Sequence, residues 1–318
     1  MTMAYNPIQI YKLMAKARAL EERLIKMSKS DDGFFWIGGP GEEAFNVPLG
    51  LLIKKGEGLA FDFLHFHYRN SATLIAMGVP MIDPIRQMHC RATDPYSKGR
   101  NFVGHFAIKE WNVMGVTSPI EVQYSMAPGT AWAQKRYGGD GITVVTGGDA
   151  GSAEGDFATC LSWSNIKNRE LPILIIVTNN RYGISTPFES VHGDSIIARR
   201  AEAFGIQWDV VDGNDPKASY EKLQFAMGIV REERRPFCLE AQISRLHGHS
   251  SSSGANREQS ERDCLIEFEK VLVNANQMSK QEAEEIRKTY EGEALDALKQ
   301  ARTEPLPESS TIYEGVFK

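Results

Sequence analysis

The sequence predicts an α/β fold, a central and mostly parallel sheet flanked by helices, and three observations lead there. Ile142-Thr143-Val144-Val145-Thr146 is a β-branched apolar run of strand length that stops at Gly147-Gly148 and gives way to a helical pattern. Leu171 to Thr178 (LPILIIVT) is apolar almost throughout, as a strand covered on both faces must be, and Asn179-Asn180-Arg181-Tyr182-Gly183 ends it. The order strand, helix, strand implies parallel pairing, and it recurs. A helix near Ile196 to Ala203 leads to a strand from Gln207 to Val211, the turn Asp212-Gly213-Asn214-Asp215, and a further strand from Phe237 to Ile243. The last strand runs into Arg245-Leu246-His247-Gly248-His249-Ser250. Ligand sites in parallel sheets gather outside the carboxyl ends of strands, where these polar clusters fall.

Before the sheet, Asn6-Pro7 is a helix start, and Ile8, Tyr11, Ala15, Leu20 and Leu24 keep helical spacing until Ser30-Asp31-Asp32-Gly33. Phe34 to Pro40 (FFWIGGP) reads as an aromatic, glycine-rich loop that exposes Phe34, Phe35 and Trp36, and a second helix is expected from Gly41 to Leu52. A short strand, then His67-Tyr68-Arg69 and a helix follow, and the polar stretch from Tyr96 to Pro119 reads as a binding loop. After Gly254 the chain turns charged and helical. Ser260-x-x-Asp263 and Ser279-x-x-Glu282 fit capping boxes, and Pro305 and Pro307 stop the second of these helices. One domain is expected over 1–318, with helical segments 1–58 and 260–318 packed on it.

Composition narrows the function. The 318 residues carry a formal net charge of −5, with a pI near 5.9, which gives no general attraction to nucleic acid or to anionic membranes. The beginning has neither a signal-peptide pattern nor an apolar run long enough to span a bilayer, so a cytoplasmic protein is expected. Cys90, Cys160, Cys238 and Cys264 are far apart and read as reduced, structural thiols.

The chemistry-bearing loop is Gly147-Gly148-Asp149-Ala150-Gly151-Ser152. Glycines between a strand and a helix suit a phosphate, yet there is no G-x-G-x-x-G and no P-loop lysine. A carboxylate facing a diphosphate is repulsive unless a divalent cation lies between them, so Asp149 points to Mg²⁺, with Asn180 and the Tyr182 backbone carbonyl as further oxygen ligands. Taken alone, an aspartate in a glycine turn is a turn or cap residue. The combination of strand, Gly-Asp loop, helix, buried strand and Asn-Asn favours the metal.

Gly148-Asp149-Ala150 through Asn179-Asn180 resembles the thiamine-diphosphate motif. The longer string GGDAGSAEGDF…NNRYGISTP resembles the alpha subunit of the branched-chain and pyruvate dehydrogenase first components. Arg18-x-x-Glu21-Glu22, Gly41-Glu42-Glu43-Ala44, His67-Tyr68-Arg69, Thr117-Ser118-Pro119, Val211 to Asp215 and Arg245-x-x-Gly248-His249-Ser250 extend the resemblance over nearly the whole chain. It implies a thiamine-diphosphate-binding fold, oxidative decarboxylation of a 2-oxo acid and transfer of the acyl group to a lipoyl domain. It further implies thiamine diphosphate and Mg²⁺ as cofactors, with Tyr68 and Arg69 on the diphosphate and Gly148, Asp149, Ala150, Gly151 and Asn180 around it. Ser118, Ile120, Tyr182 and Ile184 line the thiamine side, and Asp149, Asn180 and Tyr182 hold the metal. His249 is the implied catalytic histidine, ahead of His247, and the ordinary reading of Ile120 is core. The partners implied are a beta subunit in an α2β2 heterotetramer and a lipoyl-bearing acyltransferase.

Some positions depart from the family pattern. Ala150 stands where a glycine is usual, and Thr178 where branched-chain relatives carry an arginine, which Arg181 is a candidate to replace. Ser251-Ser252-Ser253-Gly254 is neutral where an acidic pair is usual, so this loop is expected to be flexible. Ser250 resembles a regulatory phosphorylation site. Ile37, Ile184 to Pro187 and Asn214 lean towards a branched-chain substrate over pyruvate. An acetoin dehydrogenase alpha subunit and a noncatalytic cofactor-binding paralogue are the alternatives.

Overall fold

A computed structural model describes residues 5–314, so positions 1–4 and 315–318 of the two terminal segments lie outside the described residues. Five strands form one parallel sheet: β1 (Phe63–His65), β2 (Thr143–Gly148), β3 (Ile173–Asn179), β6 (Gln207–Asp212) and β7 (Phe237–Gln242), in the order β1-β2-β3-β7-β6. Between β3 and β6, the two-residue strands β4 (Tyr182–Gly183) and β5 (Thr186–Pro187) pair antiparallel as a separate hairpin. The register aligns Gly148 with Thr178 and Asn179 with Gln242. Three strands therefore end level with one another and deliver Asp149, Asn180 and the segment after Ile243 to one edge.

Both faces of the sheet are covered, which is why β3 is apolar without alternation. Leu64, Val144, Leu174, Ile176 and Leu239 face one core, shared with α2 (Glu43–Leu52) and α7 (Pro216–Glu233). Val145, Ile173, Ile175, Val177 and Cys238 face the other, shared with α5 (Val122–Arg136) and α6 (Gly155–Ser164). A third core joins the two ends of the chain. There α1 (Pro7–Ser28) packs on α8 (Cys264–Asn274) and α9 (Lys280–Thr303), burying Tyr11, Met14, Leu20 and Leu24 with Leu265, Phe268, Ala294 and Leu298.

The caps follow from local chemistry. Asn6 accepts a 3.0 Å hydrogen bond from the Gln9 amide, with Pro7 in the first turn of α1. Ser279 and Glu282 form the expected capping box of α9, which ends at Thr303 ahead of Pro305. The box expected at Ser260 does not form. Asp263 itself caps α8, because its carboxylate accepts from the Leu265 and Ile266 amides and is held by Arg18 and Arg257.

Three further expectations change. The segment after Arg69 holds two short helices, α3 (Ser71–Met77) and α4 (Ile82–Met88), since Gly78 ends the first in a left-handed conformation and Pro80 follows. Trp36 is fully buried, with its Nε1 donating to Glu21 Oε2 at 2.9 Å, while Phe34 stays 78% exposed and Phe35 packs edge-on against Phe102. The serine loop is pinned to that tryptophan. The Ser251 amide donates to the Trp36 carbonyl at 2.8 Å, and Ser250 with Ser253 closes a capping box over a short 3₁₀ turn. Ser250 is itself buried, which takes it out of reach of a modifying enzyme in this conformation.

Arg18 ties the third core to the sheet. It is buried, with Nε 2.6 Å from Glu43 Oε1 and Nη1 3.0 Å from Asp263 Oδ2. Removing the cation would leave the Glu43 carboxylate buried and unpaired. Arg18→Ala should therefore cost about 3–5 kcal/mol, measured as a lowered midpoint in urea unfolding; an unchanged midpoint would contradict the assignment.

Candidate active site

Beyond the carboxyl ends of β1, β2 and β3 lies a cavity of about 270 Å³. Tyr68, Arg69, Ser118, Ile120, Gly148, Asp149, Ala150, Gly151, Tyr182, Ile184 and His249 all line it. Eleven of the twelve residues singled out from the sequence thus converge. Asn180 is the exception: it follows β3 and lies among Arg181, Tyr182 and Glu189.

Arg69 is buried beneath the cavity. Its Nε lies 2.5 Å from Glu42 Oε1, Nη1 reaches the Tyr68 hydroxyl and Nη2 the Thr178 hydroxyl, each at 3.3 Å. Burial opposes its charge, but Glu42, Tyr68, Asp149 and Glu121 outweigh that and hold the guanidinium protonated. Its two long contacts to neutral hydroxyls leave both Nη groups able to turn to an anion. Thr178 thus supports Arg69 from the position where an arginine was expected. Arg181 does not replace that arginine, for it pairs with Glu189 and stacks over Phe188. Arg245 is the second cation at the site, lying 4.8 Å over the Tyr182 ring and donating to the Ile184 carbonyl at 2.8 Å.

Asp149 is 2% exposed, and its Oδ2 is a buried oxygen with no hydrogen-bond partner. Burial raises its pKa against the pull of Arg69 and of backbone amides, among them that of Asn180. The Asn180 side-chain oxygen accepts the Tyr182 amide at 3.1 Å and keeps a second lone pair, while its Nδ2 is buried without a partner. An unpartnered buried carboxylate oxygen is a donor that fits a hard divalent cation, and Asn180, whose backbone amide bonds to Asp149, carries a second oxygen of the same chemistry. Ala150 is accommodated without strain on the loop, because Gly183 leaves room for its methyl: a Cβ on Gly183 would stand 2.5 Å from it.

On the other wall, His249 stands edge-on to Tyr68, with ring centroids 6.1 Å apart. Burial, then Arg69 and Arg245, lowers its pKa to about 4, so its imidazole is neutral at pH 7. No hydrogen bond is made to its ring among the described residues, which leaves both nitrogens for a ligand. His247 instead packs edge-on to Trp36 and is structural. Ile120 is 60% exposed at the cavity mouth, so it is not a core residue.

Two residues that sequence reasoning passed over also line the cavity. His105 shares a 2.9 Å hydrogen bond through Nε2 with Ser118 Oγ, and burial lowers its pKa. Glu121 is 2% exposed at the start of α5, and its Oε1 accepts the Gly148 amide at 2.9 Å. Burial lifts its pKa to about 7 against the Gly148 hydrogen bond and Arg69. The signal for His105 was a histidine inside a polar, irregular stretch; for Glu121 the sequence offers none.

Comparison with known proteins places this geometry. The family described as "Dehydrogenase E1 component" matches residues 11–310. The "2-oxoisovalerate dehydrogenase subunit alpha" of Bacillus subtilis is 28% identical over 320 residues, spanning 96% of this chain and 94% of that protein. The mitochondrial subunits of the same name from Dictyostelium discoideum and Mus musculus are 28% and 25% identical, over 79% and 98% of this chain and 55% and 71% of their own lengths. With the match running through all five strands and both flanking helical segments, the chain belongs to the thiamine-diphosphate-dependent dehydrogenase E1 component family.

Proposed function

We propose that this chain is the alpha subunit of a 2-oxo-acid dehydrogenase that decarboxylates a branched-chain substrate such as 3-methyl-2-oxobutanoate and passes the acyl group to a lipoyl domain. The single observation that carries the reading is the unpartnered Asp149 Oδ2, buried in the cavity that also presents Arg69 and His249. The names of the relatives support the branched-chain substrate over pyruvate or acetoin, and a neutral His249 in the cavity supports a catalytic over a merely cofactor-binding role.

In this reading Asp149, the Asn180 side-chain oxygen and the Tyr182 carbonyl hold Mg²⁺. Arg69, Tyr68 and the Gly148 to Gly151 loop take the diphosphate, while Ser118, Ile120, Tyr182 and Ile184 border the thiamine rings. Thiamine diphosphate supplies the electron sink for loss of carbon dioxide when it is bound. The chain's own residues do the rest. Arg69 and Arg245 neutralise phosphate charge, the apolar lining excludes water, and the neutral imidazole of His249 would accept a proton from a hydroxyl formed at the reacting carbon. A beta subunit completes the cleft in an α2β2 tetramer and a lipoyl-bearing acyltransferase receives the product. Among the described residues no helix is long and apolar enough to cross a membrane.

Co-expression with a beta subunit, followed by a panel of 3-methyl-2-oxobutanoate, pyruvate and acetoin with lipoyl domain, tests the substrate; preference for pyruvate or acetoin would overturn it. Asp149→Ala should abolish measurable Mg²⁺-dependent binding of thiamine diphosphate in calorimetry on the assembled enzyme, and unchanged affinity would remove Asp149 from the site. His249→Ala should retain cofactor binding and lose about 10²-fold to 10⁴-fold in acyl transfer. The His249 ring should titrate near pH 4 by NMR, as burial beside two arginines requires; a midpoint near 6.5 would show an open, solvated ring. The chain purified without its partner should be inactive and bind cofactor weakly, and robust decarboxylation by it alone would refute the two-chain site.

A further inference from the structure

The glycines of the Asp149 loop do not all leave space for a ligand. A Cβ on Gly147 would stand 2.0 Å from Glu121 Oε2, and a Cβ on Gly151 would stand 2.0 Å from Glu121 Oε1. Those two positions lack side chains because the Glu121 carboxylate occupies the room. That carboxylate is held on two sides, by the Gly148 amide and by Gln123 Nε2, each at 2.9 Å. Its backbone sits at φ 64°, a left-handed conformation that costs a glutamate energy. Such a buried acid, with no cation in direct contact among the described residues, lines the same cavity as Arg69, Asp149 and Gly148.

Charge gives this placement a consequence. Arg69, Arg245 and Arg200, whose Nη1 donates to the Ser152 carbonyl at 3.1 Å, are the cations around the Asp149 loop, and they face the carboxylates of Glu42, Glu121, Asp149, Glu258 and Asp194. Above a pH of about 7, the value to which burial lifts both Glu42 and Glu121, the acids outnumber the bases before any phosphate arrives, and His67, His105 and His249 are all held towards the neutral form by burial. A diphosphate entering beside Glu121 adds further negative charge, and in a buried site such charges repel far more strongly than in water.

We propose that Glu121 is the affinity-setting residue of this pocket: its carboxylate, seated under the Gly147 to Gly151 loop, weakens diphosphate binding and makes it depend steeply on a divalent cation. This rests on the cofactor reading above. Glu121 carries the charge, and its two oxygens brace the loop by accepting from the Gly148 amide and from Gln123 Nε2. The near-isosteric Glu121→Gln removes the charge and keeps one oxygen for the Gly148 amide, while its NH2 replaces the oxygen that faces Gln123, so thermal unfolding reads the lost brace and ligand affinity reads the lost charge.

The test is calorimetry at pH 8 on the complex with its beta subunit, comparing wild type, Glu121→Gln and Glu121→Ala across a Mg²⁺ series. Thiamine diphosphate and thiamine monophosphate are the probes, and thermal unfolding is followed in parallel. Glu121→Gln should bind thiamine diphosphate at least about tenfold more tightly, the scale of one like charge roughly 12 Å away at an effective dielectric near 20. The gain should be smaller for the monophosphate, and half-saturation should need less Mg²⁺. A purely structural role would not produce that ordering of ligands. Equal or weaker diphosphate binding by the folded Glu121→Gln protein overturns the inference while leaving the cofactor site in place. Unfolding of both variants would make Glu121 a brace of the fold and overturn it as well. Failure of wild type and variants alike to bind either ligand overturns the cofactor reading and this inference together.

Discussion

The structure turns on keeping one guanidinium charged in a place water hardly reaches. Arg69 is 7% exposed, yet it sits where the end of β1, the start of α2 and the ends of β2 and β3 meet. Leaving such a charge unpaired would be far costlier than any single contact around it. Glu42 answers it from the N-cap of α2, and the Tyr68 and Thr178 hydroxyls answer it from the loop after β1 and from β3. The backbone yields as well: a Cβ on Gly39 would stand 2.9 Å from the Arg69 Cβ, and one on Gly148 would stand 2.9 Å from Nη2. Loops separated by more than a hundred residues are thereby fixed to one another around a cation suited to phosphate.

The fold was legible where side chains alone decide the matter. The runs at 142–146, 171–178 and 237–243 are β-branched or apolar because both faces of the sheet are covered, and the structure places β2, β3 and β7 there. Helix α5 was not legible, since Pro128 and Gly129 break its pattern and Glu121, at its head, enters in a left-handed conformation. Trp36 also misled. In isolation an aromatic beside glycines reads as exposed, whereas its indole finds Glu21 in α1 and its backbone finds Ser251. Both contacts depend on how distant segments meet, which no local window contains.

The site shows the same division. Asp149, Arg69 and His249 could be picked out because each follows a strand in a recognisable motif. The departures from that motif became interpretable only with neighbours in view. Ala150 is matched by Gly183, Thr178 by its hydrogen bond from Arg69, and Gly151 by the Glu121 oxygens. Each pairing links residues that are far apart in sequence, so that a residue out of pattern at one position is absorbed by a smaller or more polar one at another.

The cavity mouth carries the last step. Ile120, Ile184, Tyr182 and Phe102 are 60%, 53%, 40% and 38% exposed, and all four line the opening. Scattered apolar residues on a surface are ordinary, but a ring of them around a polar cavity is not. The floor of the cavity is charged and fully braced within the chain, through Arg69, Glu42, Glu121 and the strand ends. Its rim is apolar, with Arg245 stacked on Tyr182 and Phe102 packed on Phe35. Under the proposed function, chemistry that removes carbon dioxide next to a neutral imidazole needs water kept out, and this chain would supply the phosphate side of such a space. The division of polarity between floor and rim is what a cofactor cleft closed by a second subunit requires: anchoring chemistry on one chain, and an apolar edge against which the other can seal.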